Sequence, residues 1–221
     1  MKNMIIEEGR HLESTPAGAF FMSSSPKAEP ARRLLLNIMS SNSSPNWNPL
    51  RLAEWSGLEQ KQALELLYQL QKLGWVSDLS QAQKAPEGPL EEVLPSLLEH
   101  ISVDSKALLA DNQGFYLGTN GIPHEAAEAL SAVSADLGSL FERHERLLVN
   151  NLGRREQAWS LSDAAGNSQL GFWPLYIGSL RFVLVVEGRP TFNQPAFRDL
   201  VWTLTLRYSA ENLWENKTEY A

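Results

Sequence analysis

Hydrophobic positions along this chain recur at two periods, and the switches between them divide it into elements. After Pro30, Leu34, Leu35, Ile38 and Met39 follow at helical spacing, and the polar run "SSNSSPNWNP" ends that helix. Asn48 followed by Pro49 reads as an N-cap and first turn, and Gly57 closes the short helix that contains Trp55. A longer helix from about Leu58 to Leu73 presents Ala63, Leu66, Leu67 and Leu70 on one face, and Gly74 stops it. The following "WVSDLSQAQKAP" has the length of a small two-stranded wing. Residues 1–28 keep no period, so they are expected to form a loose arm, with Phe20, Phe21 and Met22 as the side chains able to dock.

The linker "KAPEGP" interrupts the pattern and places a domain boundary near Glu87. Beyond it, "LEEVLPSLLEHI" reads as a helix that contains Pro95, and "ALLA" and "FYLGT" read as strands around a turn at Asp111, Asn112, Gln113 and Gly114. Pro123 opens a helix to about Leu148, with Ala126, Leu130, Val133, Leu137, Leu140 and Phe141 predicted as its core-facing stripe. Three strands follow, "QAWSLSD", "SQLGFWPLY" and "LRFVLVVEG", the last apolar enough to be covered on both faces. Asn193 and Pro195 open a closing helix with Phe197, Val201, Leu204 and Tyr208 on one side. The predicted class is α/β in the broad sense, α+β: a 1–28 arm, a small helical domain over 29–86, and an α-β-β-α-β-β-β-α domain over 87–221.

Composition narrows what such a chain does. With 221 residues and an apolar fraction of 43%, two cores are affordable, and the absence of cysteine rules out disulfides, thiolate metal sites and a thiol nucleophile. No run approaches the roughly 18 to 20 apolar residues of a membrane span, and Glu7 and Glu8 interrupt the only apolar stretch near the start, so a cytoplasmic protein is expected. Residues 1–85 carry nine Lys/Arg against eight Asp/Glu, whereas residues 86–221 carry ten against eighteen. The acidic half repels phosphate backbones and suits a neutral or basic protein partner.

The hairpin "LLADNQGFYLGTNG", with Asp111, Gly114 and Gly118, and the Ala/Ser-rich helix behind it resemble the roadblock family, the dynein-light-chain-type domain, over roughly residues 89–212. The resemblance implies a roadblock/profilin-like sandwich, a homodimer built from the central helix and the strand after it, and a small Ras-like GTPase as partner, as accompanies bacterial members. A profilin-like or sensor-type domain of related strand order is the alternative. Upstream, "LAEWSGLEQKQALELLYQLQKLGWV" is similar to a winged helix-turn-helix over roughly residues 30–85.

On the central helix, Ala127, Ser131, Ser134 and Gly138 form a flat face of small residues. Such a face lets a second helix approach closely, or it is simply solvated surface of good helix propensity. The strand "QAWSLSD" would expose unpaired backbone at a sheet edge beside Trp159 and Leu161, and pairing across a two-fold axis would satisfy it. The expected dimer interface is therefore Ala127, Ser131, Ser134, Gly138, Trp159 and Leu161.

Nothing in the residues asks for catalysis, a cofactor or a metal. His11, His100, His124 and His144 lack ligand spacing, and neither a phosphate loop, a GxGxxG turn nor a GxSxG elbow is present. The predicted recognition helix balances Lys61 and Lys72 with Glu59 and Glu65, so protein docking is favoured; in the DNA-binding alternative, Arg32, Arg33, Arg51 and Lys61 would contact nucleic acid. Trp75, Trp173 and Trp202 are expected in cores or interfaces, and Trp47 and Trp214 partly exposed. The reading is a non-catalytic dimeric scaffold or regulator, with a transcription regulator or a small-molecule sensor as alternatives.

Overall fold

The computed structural model describes residues 9–153 and 157–208, so Trp214 lies outside the described residues. In chain order the elements are β1 (His11–Ser14), α1 (Pro16–Ser23), α2 (Pro30–Ile38), α3 (Pro49–Ser56), α4 (Gln60–Lys72), β2 (Val76–Leu79), α5 (Leu90–Glu99) and β3 (Ala107–Asp111). They continue with β4 (Tyr116–Asn120), α6 (His124–Glu145), β5 (Trp159–Ser162), β6 (Ser168–Ile177), β7 (Leu180–Glu187) and α7 (Pro195–Tyr208). From Gly88 onward this is the order α-β-β-α-β-β-β-α, and the class is α+β, helices with an antiparallel sheet.

The chain divides into two compact units. The first contains the residues up to Glu87, the short turn Tyr176–Leu180 and the chain from Phe192; the second contains Gly88–Leu175 and Arg181–Thr191. Within the first unit, two helix starts are fixed by side-chain caps. The Gly18 amide donates to Thr15 Oγ1 at 3.1 Å ahead of Pro16, and the Arg51 amide donates to Asn48 Oδ1 at 2.9 Å ahead of Pro49. Gly57, at φ +71°, closes α3 in the left-handed conformation that side chains avoid.

The described part of the expected loose arm is ordered structure. β1 pairs antiparallel with β2, His11 opposite Leu79 through Ser14 opposite Val76, and Leu12, Ala19 and Met22 are buried. This also corrects the expected wing, because β2 takes its partner from the arm and not from the segment after it. Phe21 stacks on Trp75 with centroids 4.1 Å apart. Arg32, one of the side chains expected to reach nucleic acid, is instead buried: it donates to the carbonyls of Phe21 and Met22 and lies over the Phe21 ring. A cation here neutralises the carbonyl end of α1, although burial pulls the guanidinium pKa down. Trp47 is buried as well, not partly exposed.

A second correction concerns α7. Expected in the second domain with one apolar side, it groups with the first unit and is buried through Phe197, Arg198, Leu200, Val201, Trp202, Thr203, Leu204 and Thr205. A helix covered around its whole circumference is a core element, and its polar side chains must find partners inside. There it packs on α1, with Phe20 6.0 Å from Phe197, and Trp202 Nε1 donates to the Ser41 carbonyl at 2.9 Å. Arg198 pairs with Glu13 of β1 and with Asp199, so the buried guanidinium is neutralised where it stands.

In the second unit the sheet order is β4-β3-β7-β6-β5. Asp111 shapes the β3–β4 turn, its Oδ1 accepting from the Gln113 and Phe115 amides at 2.9 Å each. Gly118 is a packing requirement: a Cβ there would lie 2.7 Å from that of Leu94, so α5 rests directly on β4. One face of the sheet presents Leu108, Ala110, Phe172, Val183 and Val185 to α6, which closes that core with Ala127.

Candidate functional site

α6 lies on the sheet turned toward its small-residue face, which is adjacent to the expected stripe and shares the contact with Leu130, Leu137 and Phe141 of that stripe. Ala127, Ser131 and Ser134 are buried, the two hydroxyls donating back to the carbonyls of Ala127 and Ser131 at 2.8 and 2.7 Å. Small side chains therefore bring α6 close to its own sheet, and they are not free to meet a second helix. Gly138 has a similar office: a Cβ would lie 2.5 Å from the Arg181 guanidinium, which uses that space to reach Glu142 at 2.7 Å. Of the four positions expected at an interface, Ala127, Ser131 and Ser134 are buried within the protomer, and Gly138 is half-buried beside Arg181.

The stripe expected to face the core is turned partly outward. Val133 and Ala126 are exposed, and Leu130, Leu137 and Leu140 are half-buried; only Phe141 is fully covered. Leu130 and Leu137, like Trp159 and Leu170, are partly buried against the core beneath α6. Sequence reading placed Val133 in the core-facing stripe, and the structure exposes it. Two adjacent stripes compete for the sheet, and the hydrophobic one looks like the winner until the closeness of the helix to the sheet is known.

β5 is the last strand of the sheet order and pairs with β6 alone, Trp159 opposite Phe172 and Leu161 opposite Leu170. Alternation puts Trp159 and Leu161 on the α6 face. Trp159 is half-buried in the core margin, whereas Leu161 is 63% exposed. The strand ends in a stiff turn: Asp163 Oδ1 accepts from the Ala165 and Asn167 amides at 2.9 Å each, and Asp163 Oδ2 accepts from Gln169 Nε2 at 3.0 Å. Bonds to the Asn167 backbone and side chain, the leading cause, hold the Asp163 carboxyl below its ordinary value. The result is a short edge with an apolar face and no strand on its outer side among the described residues.

Elsewhere the side chains are occupied structurally. His124 Nδ1 lies 2.6 Å from the Tyr116 hydroxyl and its Nε2 3.5 Å from Glu128, on the exposed start of α6. Among the described residues no group of three or more His, Asp or Glu side chains is placed to hold a metal ion. A cavity of about 10 Å³ between Leu12, Ile38, Met39, Ser44, Arg198 and Trp202 suits a single water, which the unpartnered Ser44 hydroxyl would bind. Of the remaining basic residues named for nucleic acid, Arg33, Arg51 and Lys61 are exposed. Arg51 donates to the Asn46 carbonyl at 3.0 Å. No described helix is long and apolar enough to cross a membrane.

Solved structures similar to part of this chain include the following two. A roadblock/LC7 domain from Streptomyces avermitilis is 13% identical, covering 54% of this chain and 93% of its own, with a TM-score of 0.35. Myxococcus xanthus MglB is 14% identical, covering 53% of this chain and 89% of its own, with a TM-score of 0.32. No protein-family model and no curated protein matches the chain.

Proposed function

We propose that this protein is a non-catalytic regulator that acts by binding other proteins, first a second copy of itself. The observation that carries the reading is the β5 edge, where Leu161 stands exposed beside the half-buried Trp159 on a strand with no partner on its outer side among the described residues. An open edge with an apolar face is a liability in a soluble protein unless something covers it. Val133, exposed on α6, takes the place of the small-residue face as the helical part of the interface. Trp159 and Leu161 form its strand part.

The roadblock resemblance of "LLADNQGFYLGTNG" supports the same arrangement and extends it to a small Ras-like GTPase bound by the dimer. Binding of that kind would act by shifting the partner's conformational populations. The helices of residues 30–79 then serve as a winged-helix-like protein-docking module. The DNA-binding reading rests on exposed Arg33, Arg51 and Lys61 and is separated by a low-salt duplex titration, in which tight, steeply salt-dependent binding would favour it.

Light scattering during size-exclusion chromatography tests the self-association. The parent is expected at twice 24.7 kDa and the Leu161→Lys variant at the mass of one chain. A parent that elutes as a lone chain at high concentration overturns the reading.

A further inference from the structure

We propose that residues 11–23, the strand β1 and the helix α1, form a strap that opens from the first unit as one piece, hinged at residues 24–29, while α2, α3, α4 and α7 stay folded. Two arginines of the body hold the strap, one at each end. At the first end, Arg198 of α7 pairs with Glu13, whose Oε2 also accepts from Ser77 Oγ at 3.3 Å. At the second, Arg32 of α2 donates to the Phe21 and Met22 carbonyls and covers the Phe21 ring. Each arginine also has a carboxylate from its own side of the contact: Asp199 accepts from Arg198 Nε at 2.8 Å, and Glu29, at the start of α2, lies 3.6 Å from Arg32. Neither cation is stranded when the strap lifts, which removes the penalty that makes breaking a buried ion pair so unfavourable. Burial holds the Arg32 guanidinium below its ordinary value, and lifting the strap returns it to water.

The packing divides along the same seam. The strap buries three apolar side chains, Leu12, Ala19 and Met22, whereas the body has its own interior in Leu35, Leu52, Leu67, Leu70, Leu200 and Leu204. A piece that buries little apolar surface opens at a lower free energy than the whole. The water-sized cavity lies on this seam, between Leu12 and Ser14 of the strap and Ile38, Met39 and Trp202 of the body, so close packing is least complete where the two would part. Residues 24–29 carry no buried side chain and no helix or strand, as a hinge requires. Among the described residues β1 is the one strand paired in a ladder with β2, so lifting the strap bares the β2 edge.

Hydrogen exchange of the full chain, read amide by amide by NMR and corrected for intrinsic rates, tests the strap. Its reporters are the amides of Leu12, Thr15 and Ala19, bonded to the carbonyls of Pro45, Trp75 and Thr15; those of the body are the amides in the middle of α4 and α7. In the parent the three strap amides are expected to share one opening equilibrium and to exchange at least about tenfold faster than the body. Glu13→Gln keeps the shape and removes the charge, and should speed the strap roughly tenfold more without moving the body. Asp199→Asn has the opposite sign: Arg198 then has no carboxylate once Glu13 leaves, so strap exchange should slow by about threefold or more. A residue with only a packing role would speed exchange when replaced. Equal protection of strap and body in the parent overturns the proposal, and that comparison decides the matter even if a variant does not fold. Glu13→Gln acting on strap and body alike, or Asp199→Asn speeding the strap, overturns it as well.

Discussion

α6 and α7 are both amphipathic by sequence, yet the protein uses them in opposite ways. The 14-residue α7 buries eight side chains around its circumference, whereas the 22-residue α6 buries four. α7 is a core element whose polar groups are satisfied inside, Arg198 by Glu13 and Trp202 by the Ser41 carbonyl. α6 is a cover laid on a sheet, with its bulkier residues left at the margin. Apolar content therefore did not decide which side went in; the spacing between helix and sheet did.

The comparison is broken most severely by emptying the core around α7. Phe197→Ala removes a fully buried ring that packs on Phe20 and Phe192, and a loss of about 3–5 kcal/mol is expected in urea unfolding. A loss below about 1 kcal/mol would place α7 outside the core. The two sides of α6 are separated by a pair of substitutions. Ser134→Arg forces a charge into the contact with the sheet and should cost at least about 3 kcal/mol, while Val133→Lys, on the exposed flank, should change stability by less than about 0.5 kcal/mol. Val133→Lys is nevertheless expected to weaken self-association, read as a lower mass at the same concentration. Equal unfolding midpoints for the two variants would refute the orientation of α6.

The smallest effect is local and depends on pH. Because the Asp163 carboxyl titrates below its ordinary value of 3.8, its support for the β5–β6 turn is complete above that value and is lost as pH falls through the lowered one. Protection of the Ala165 and Asn167 amides, corrected for intrinsic exchange and followed by NMR, should hold from pH 6 to 5 and decline in strong acid. Unchanged protection at pH 2 would show that the carboxylate does not hold the turn.

Much of this architecture is legible in the residues. Thr15, Asn48, Gly57 and Gly114 act locally, through caps and turns whose chemistry is written within four positions of the chain, and the alternating strands around Asp111 and Asp163 follow from the same short-range rules. What is not legible depends on partners distant in sequence. That β2 would pair with β1, that Arg32 would close α1, and that α7 would join residues up to Glu87 are long-range choices. The candidate site divides along the same line. That Trp159 and Leu161 share one face of an edge strand is readable from the strand's own alternation, while the burial of Ala127, Ser131 and Ser134 is not, because nothing local says how near a helix will lie to its sheet.

The first unit is discontinuous in the chain, and this bears on its birth at the ribosome. Its opening residues emerge early, but Phe197 and Trp202, which complete its interior, are made only after the whole stretch Gly88–Leu175 has been translated. At a synthesis rate of ~5–20 residues per second, that leaves the unfinished half waiting on the order of 5 to 20 s with Leu12, Met22 and Met39 unsheltered. Interrupted synthesis thus leaves a sticky fragment, and a nascent chain has a closed interior in this unit once α7 has been made.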